Sequence, residues 1–216
     1  DQSLVQELDE GEQVQDTITL TATDDTQQKI VIDITGTEDA PVVTGTFTGK
    51  VTEGNLGDVA TAAGTITISD VDNGDEPVFS NIAVTGTYGE LVLVDGKWTY
   101  TLDQSQVQQL DEGEQVQDTI TLTATDGTQQ NIVIDITGTE DAPVVTGTFT
   151  GKVTEGNLGD VATATGTITI SDVDNGDEPV FSNIAVTGTY GELVLVDGKW
   201  TYTLDQSQVQ QLDEGE

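Results

Sequence analysis

The chain has 216 residues and carries 40 Asp and Glu against only 5 lysines, with no Arg, His, Cys or Met, for a formal charge of −35. That sign excludes nucleic acid and anionic membranes as partners. The missing His and Cys remove the usual nucleophiles and bases, so only paired carboxylates could catalyse; nothing in the sequence pairs them, and no enzyme is expected.

Residues 1–114 recur as residues 103–216 with five differences: Leu4/Gln106, Glu7/Gln109, Asp25/Gly127, Lys29/Asn131 and Ala63/Thr165. A period of 102 residues is the size of a self-contained domain, not of a solenoid unit. The expected division is residues 1–38 as the C-terminal part of one repeat, 39–140 as a complete repeat, and 141–216 as the N-terminal part of a third, lacking its last two strands. Regular alternation of β-branched residues with threonine, and one Trp per repeat, argue for a folded domain despite the charge. With no cysteine to staple it, metal ions are the obvious substitute.

Within residues 39–140 the run VVTGTFTGKV reads as one strand, with Val43, Phe47 and Val51 on one face. GTITIS turns Ile66 and Ile68 inward. SDVDNGDEP is a loop by composition, and VFSNIAVTG a third strand. GELVLV and KWTYTL are joined by Asp95-Gly96, a pair suited to a type I′ turn, because both positions need positive φ. Trp98, Tyr100 and Leu102 share one face, which reads as core in preference to a sugar platform. Asp103 caps one or two helical turns in DQSQVQQLDEGE. Ile120, Leu122 and Ala124, then Ile132, Ile134 and Ile136, point inward from a hairpin that turns at Asp126-Gly127. About seven strands with one short helical turn predict an all-β fold of tandem immunoglobulin-like, cadherin-like β-sandwich domains.

Alternating strand direction gathers carboxylates at the two poles of each repeat. One pole holds Asp70, Asp72 and Asp75, the Asp126 turn, and the incoming linker Glu38-Asp39. The other holds Glu53 and faces the outgoing linker Glu140-Asp141, with Glu155, Asp172 and Asp174 as copies in the third repeat. Calcium takes six to eight oxygen ligands from such Asp-, Asn- and Gly-rich loops. The competing accounts are a solvated loop for Asp70 to Asp75, turn chemistry for Asp126 and an exposed strand end for Glu53. SDVDNGDE is not an EF-hand loop, because no glutamate stands at the twelfth place.

VTEGN, SDVDNGD, GTYGEL, DGKWTYTLD, TATDGT and ITGTEDAP together resemble the VCBS or cadherin-like extender repeats of giant bacterial RTX adhesins secreted by the type I route, including the repetitive region of an ice-binding adhesin. The resemblance spans the whole 102-residue unit. It implies sandwiches that bind Ca2+ at their linkers, in extracellular arrays that project a ligand-binding tip, located elsewhere in the full protein, from the bacterial cell surface. It also implies Glu53, Asp70, Asp72, Asp126, Glu140 and Asp141 as ligands; Asp25, where the other copy has Gly127, weakens the transfer to the first turn. The expected role is a non-enzymatic calcium-stiffened stalk whose partners are identical repeats, in tandem or end to end. The alternatives are a directly adhesive module and a self-complementing filament subunit. The mid-repeat start at Asp1 and the absence of a leader or membrane span lead to the expectation of a slice: either a window in a continuous fibre or chains that complete one another by strand exchange.

Overall fold

The computed structural model describes residues 5–212, which form two compact units. The first takes the chain up to Val107 together with Glu114–Gly138; the second takes Gln108–Gly113 and the chain from Thr139 onward. Among the described residues all regular structure is strand, apart from single 3-10 turns at Gln104–Gln106 and Gln206–Gln208.

Unit 1 opens with an antiparallel hairpin, β1 (Gln13–Thr21) and β2 (Gln27–Thr35), which forms a sheet of its own. It continues with β3 (Val42–Gly45), β4 (Thr48–Thr52), β5 (Thr61–Ser69), β6 (Ile82–Thr85), β7 (Gly89–Val94), β8 (Lys97–Leu102), β9 (Gln115–Thr123) and β10 (Gln129–Thr137). These make two sheets, of order β3-β5-β8-β7-β6 and β4-β10-β9, with β4 parallel to β10. Period-two alternation gives each strand an apolar face, and the faces meet as a sandwich core. Leu91, Leu93, Trp98, Tyr100 and Ile66 come from one sheet, and Ile120, Leu122, Ile132, Ile134 and Ile136 from the other, all at most 2% exposed. Gly64 makes room for the indole, since a Cβ there would lie 2.5 Å from Trp98 Cζ2. The Trp98 Nε1–H donates to the Thr46 carbonyl at 2.8 Å, which satisfies its one polar atom.

The run VVTGTFTGKV is not one strand but two. Gly45, at φ 146°, breaks it so that β3 pairs β5 in one sheet while β4 crosses to β10 in the other. A side chain at Gly45 would collide with the Thr65 carbonyl. The third strand is shorter than VFSNIAVTG, because Val78 instead exchanges hydrogen bonds with Thr125 in the β9–β10 turn. Asp95 and Gly96 both have positive φ, as a type I′ turn requires. Asp103 caps the 3-10 turn by accepting from the Ser105 N–H at 3.0 Å.

Unit 2 contains β11 (Val144–Gly147), β12 (Thr163–Ser171), β13 (Ile184–Thr187), β14 (Gly191–Val196) and β15 (Lys199–Leu204), in a single sheet of order β11-β12-β15-β14-β13. Residues 150–154 repeat the sequence of β4, yet they are not a strand.

Candidate metal centre

In unit 1 the loop after β5 is pinned at both ends. The Asp72 N–H donates to Asp70 Oδ1 at 3.1 Å, an Asx turn, and the Asn73 N–H donates to the Glu7 carbonyl at 3.0 Å. Asp72 is thereby drawn inward, to 4% exposure. Its Oδ2 accepts the backbone N–H of Asp39 in the linker at 2.7 Å, whereas its buried Oδ1 has no hydrogen-bond partner.

Asp72 stands among further carboxylates. Glu38, Asp72 and Asp75 each offer an oxygen within 4.8 Å of the other two. Glu38, Asp70, Asp75 and Asp126 line a cavity of about 230 Å³ beside Pro41 and Pro77. Asp9 contributes a second buried oxygen without a partner, Oδ1. Repulsion from Asp75, with burial and the charges of Asp72 and Asp70, raises the Glu38 carboxyl above its ordinary value. Burial, reinforced by Glu12 and Asp75, does the same to Asp9.

Unit 2 rebuilds the arrangement. Asp174 is 5% exposed, its Oδ2 accepts from the Asp141 N–H at 2.8 Å, and its Oδ1 is buried without a partner. The Asp174 N–H in turn donates to Asp172 Oδ1 at 3.1 Å. Glu140, Asp174 and Asp177 bring oxygens within 4.8 Å of one another. Asp177 foremost raises Glu140, and burial foremost raises Asp141, whose Oδ2 is also orphaned.

The structure thus brings together Glu38, Asp39, Asp70, Asp72, Asp75 and Asp126 in unit 1, and Glu140, Asp141, Asp172 and Asp174 in unit 2. Asp126 sits at the edge of its group and is already engaged: its carboxylate accepts from the Thr128 N–H at 2.9 Å and Oγ1 at 2.7 Å, and the first of these bonds does most to lower its pKa. Asp24 makes the same bond to the Thr26 N–H at 3.1 Å, although Asp25 replaces glycine beside it at φ 65°. Glu53 and Glu155 lie elsewhere, Glu53 just after β4 and Glu155 just after residues 150–154. Glu53 is buried with its N–H on the Thr137 carbonyl at 2.9 Å; Glu155 is exposed and accepts from Gln210 Nε2 at 3.0 Å. Sequence reasoning missed Asp9 and Asp177; the LDEGE segment at the pole and the repeat of Asp75 were the available signals.

Hard cations suit this donor set. It is all oxygen, dense in carboxylates, and retains buried acceptors that the protein does not satisfy. Residues 38–138 match the model of the bacterial cadherin-like domain family. No match was found among curated proteins. Among solved structures the chain is similar to PcdhgB3 EC1-4, at 15% identity and a TM-score of 0.41, covering 90% of this chain and 48% of that one. It is also similar to titin domains z1z2 in complex with telethonin, at 12% identity and a TM-score of 0.31, covering 77% and 82% respectively. The chain therefore spans about half the length of the first of these.

Proposed function

We propose that this chain, whose residues 38–138 match the bacterial cadherin-like domain family, is a calcium-stiffened extender segment of an extracellular bacterial adhesin. The observation that carries the reading is the carboxylate cluster Glu38, Asp72 and Asp75, in which Asp72 keeps a buried, partnerless Oδ1, repeated as Glu140, Asp174 and Asp177 with the Oδ1 of Asp174. Such an oxygen costs on the order of 1–3 kcal/mol if left unmet, and a bound cation removes that cost. Glu38, Asp70, Asp72, Asp75 and Asp9 would hold the ion in unit 1, and Glu140, Asp141, Asp172, Asp174 and Asp177 in unit 2. Asp39 orients Asp72 through its backbone N–H, and Asp126, Glu53 and Glu155 are secondary candidates.

Calcium, when bound, supplies positive charge and a crosslink between linker and loop. The linker residues Glu38 and Asp39 then move with the loop instead of independently. Identical repeats in tandem would form the stalk, with the adhesive tip elsewhere in the full protein. A directly adhesive role through Trp98 and Tyr100 is disfavoured, since both rings are buried at 0% exposure.

Calcium titration by calorimetry, with melting in calcium and in EGTA, tests the metal. At free calcium about 100-fold above the dissociation constant, each site should add about 2.7 kcal/mol. The double variant Asp72→Asn, Asp174→Asn should lose most of that gain. No heat of binding and no shift in melting at millimolar calcium would remove the proposal. The stalk role is tested by small-angle scattering: a maximum dimension unchanged by EGTA would leave calcium binding standing and sink the stiffening.

A further inference from the structure

We propose that Asn73-Gly74 and its copy Asn175-Gly176 are sites of spontaneous deamidation, and that the isoaspartate formed there disables the metal loop in which each pair sits. The reaction is an attack by the main-chain nitrogen of the following residue on the asparagine side chain. It needs an unshielded nitrogen and an unengaged amide. Of the seven asparagines in the chain, only Asn73 and Asn175 precede glycine, which has no Cβ to shield its nitrogen. The other five precede Leu or Ile.

The loop geometry meets the same conditions in both copies. Asn73, Gly74, Asn175 and Gly176 are all exposed. Among the described residues, neither the two side-chain amides nor the two glycine N–H groups make a hydrogen bond. The space is open as well: a Cβ on Gly74 would meet only Asp9 Oδ2, at 3.7 Å, and one on Gly176 only Asp111 Oδ2, at 3.4 Å. Elsewhere the fold withdraws one reactant or the other. Asp126-Gly127 could close the same ring, but the Gly127 N–H donates to the Ala124 carbonyl at 3.0 Å and Thr128 holds the carboxylate. The Asn81 side chain is engaged by Asp95, and that of Asn131 by Thr121.

In the first step the Gly74 nitrogen bonds to Asn73 Cγ, the bond from Cγ to the amide nitrogen breaks, and ammonia leaves with the proton of the glycine N–H. The resulting succinimide takes up one water at either carbonyl. Opening at Cγ gives aspartate on an unaltered main chain. Opening at the main-chain carbonyl gives isoaspartate, in which the chain runs through the former side chain. One water enters, one ammonia leaves, and no electrons are transferred.

The place of the pair decides the consequence. Asn73 stands between Asp72 and Asp75, which with Glu38 hold oxygens within 4.8 Å of one another, and the Asp75 N–H reaches back across the pair to the Asp72 carbonyl at 3.3 Å. Isoaspartate lengthens the main chain by one methylene inside that turn, so the carboxylates on either side part. Aspartate adds a charge and leaves the turn intact. The effect on the cation rests on the metal reading above; the modification itself does not.

The 216-residue chain, kept in EGTA in warm, mildly alkaline buffer and followed by intact mass and peptide mapping, provides the test. The mass gain of an amide-to-acid exchange is expected at Asn73 and Asn175, with isoaspartate at both, while the other five asparagines stay intact. A double variant, Asn73→Gln with Asn175→Gln, should hold its mass. Asn73 and Asn175 that stay intact while the free peptide SDVDNGDE converts would overturn the proposal, as would equal conversion at Asn55 or Asn81. The isoaspartate fraction, separated by ion exchange, should then bind calcium about tenfold more weakly or worse than the fresh chain. The Asn73→Asp, Asn175→Asp variant, which has the charge without the methylene, should not lose that affinity. Equal affinity in the isoaspartate fraction overturns the disabling of the loop. A fresh chain that binds no calcium removes the metal reading and the disabling with it, and leaves the modification standing.

Discussion

Asp118 shows how one side chain organises a sandwich. It is 2% exposed, and its two oxygens take the backbone N–H groups of Thr87 and Tyr88 and the hydroxyl of Tyr100. Burial, then the bond to Asp118, pushes the Tyr100 hydroxyl above its usual range, so it stays a donor at any physiological pH. The carboxylate thereby ties β9 to the β6–β7 connection and to β8. Replacing it with alanine strands three donors in the core. We expect Asp118→Ala to destabilise unit 1 by about 3 kcal/mol or more, and Asp118→Asn to recover only part of that, since an amide offers one acceptor oxygen in place of two. Urea melts in a Trp200→Phe background, where Trp98 alone reports, measure it. A loss below about 0.5 kcal/mol, the level of an ordinary surface substitution, would contradict the account.

The pairing of β4 with β10 is a tertiary product, and it predicts a difference in exchange between equal sequences. TGKVT is a strand at residues 48–52 and not at 150–154. Amides of β4 should exchange roughly 100-fold more slowly than those of residues 150–154 in dilute, unassociated chain, read residue by residue by hydrogen exchange. Equal protection in the two segments would show that the strand forms without a neighbour. The same reasoning explains what was legible in the sequence. Alternation placed Trp98, Tyr100, Ile120 and Ile134 in the core correctly, and positive φ at Asp95 and Gly96 follows from local turn chemistry. The break at Gly45 was not legible, because it depends on two sheets competing for one run of apolar residues. Glu38, Asp70, Asp72 and Asp75 could be read as a group from their spacing around one loop and linker. The inward position of Asp72 and the arrival of Asp9 could not, since both depend on residues 7–9 returning to that loop, as in the Asn73 N–H bond to the Glu7 carbonyl.

At the scale of the whole molecule, a charge of −35 makes stability a question of protons and cations together. Without calcium, Glu38, Asp9, Glu140 and Asp141 have carboxyls raised by crowding and burial, so the folded chain binds protons more readily than the unfolded chain does. Stability then increases as pH falls through their raised values toward the ordinary ones, and that gain is lost as pH rises back through the raised values. Asp24, Asp103, Asp126 and Asp205 are lowered by hydrogen bonds from the turns they cap and have the opposite sign, but their contribution is lost only below the ordinary carboxylate range. The range just above ordinary carboxylate values therefore belongs to the crowded carboxylates. In EGTA the melting temperature should rise as pH is lowered from 7 toward 5. In saturating calcium the slope should reverse, because the ion requires those carboxylates deprotonated and protons compete with it. Scanning calorimetry at matched ionic strength reads both slopes. A melting temperature that falls with acid in EGTA as it does in calcium would mean that the clusters impose no charge penalty, and with it the physical reason for a cation there would disappear.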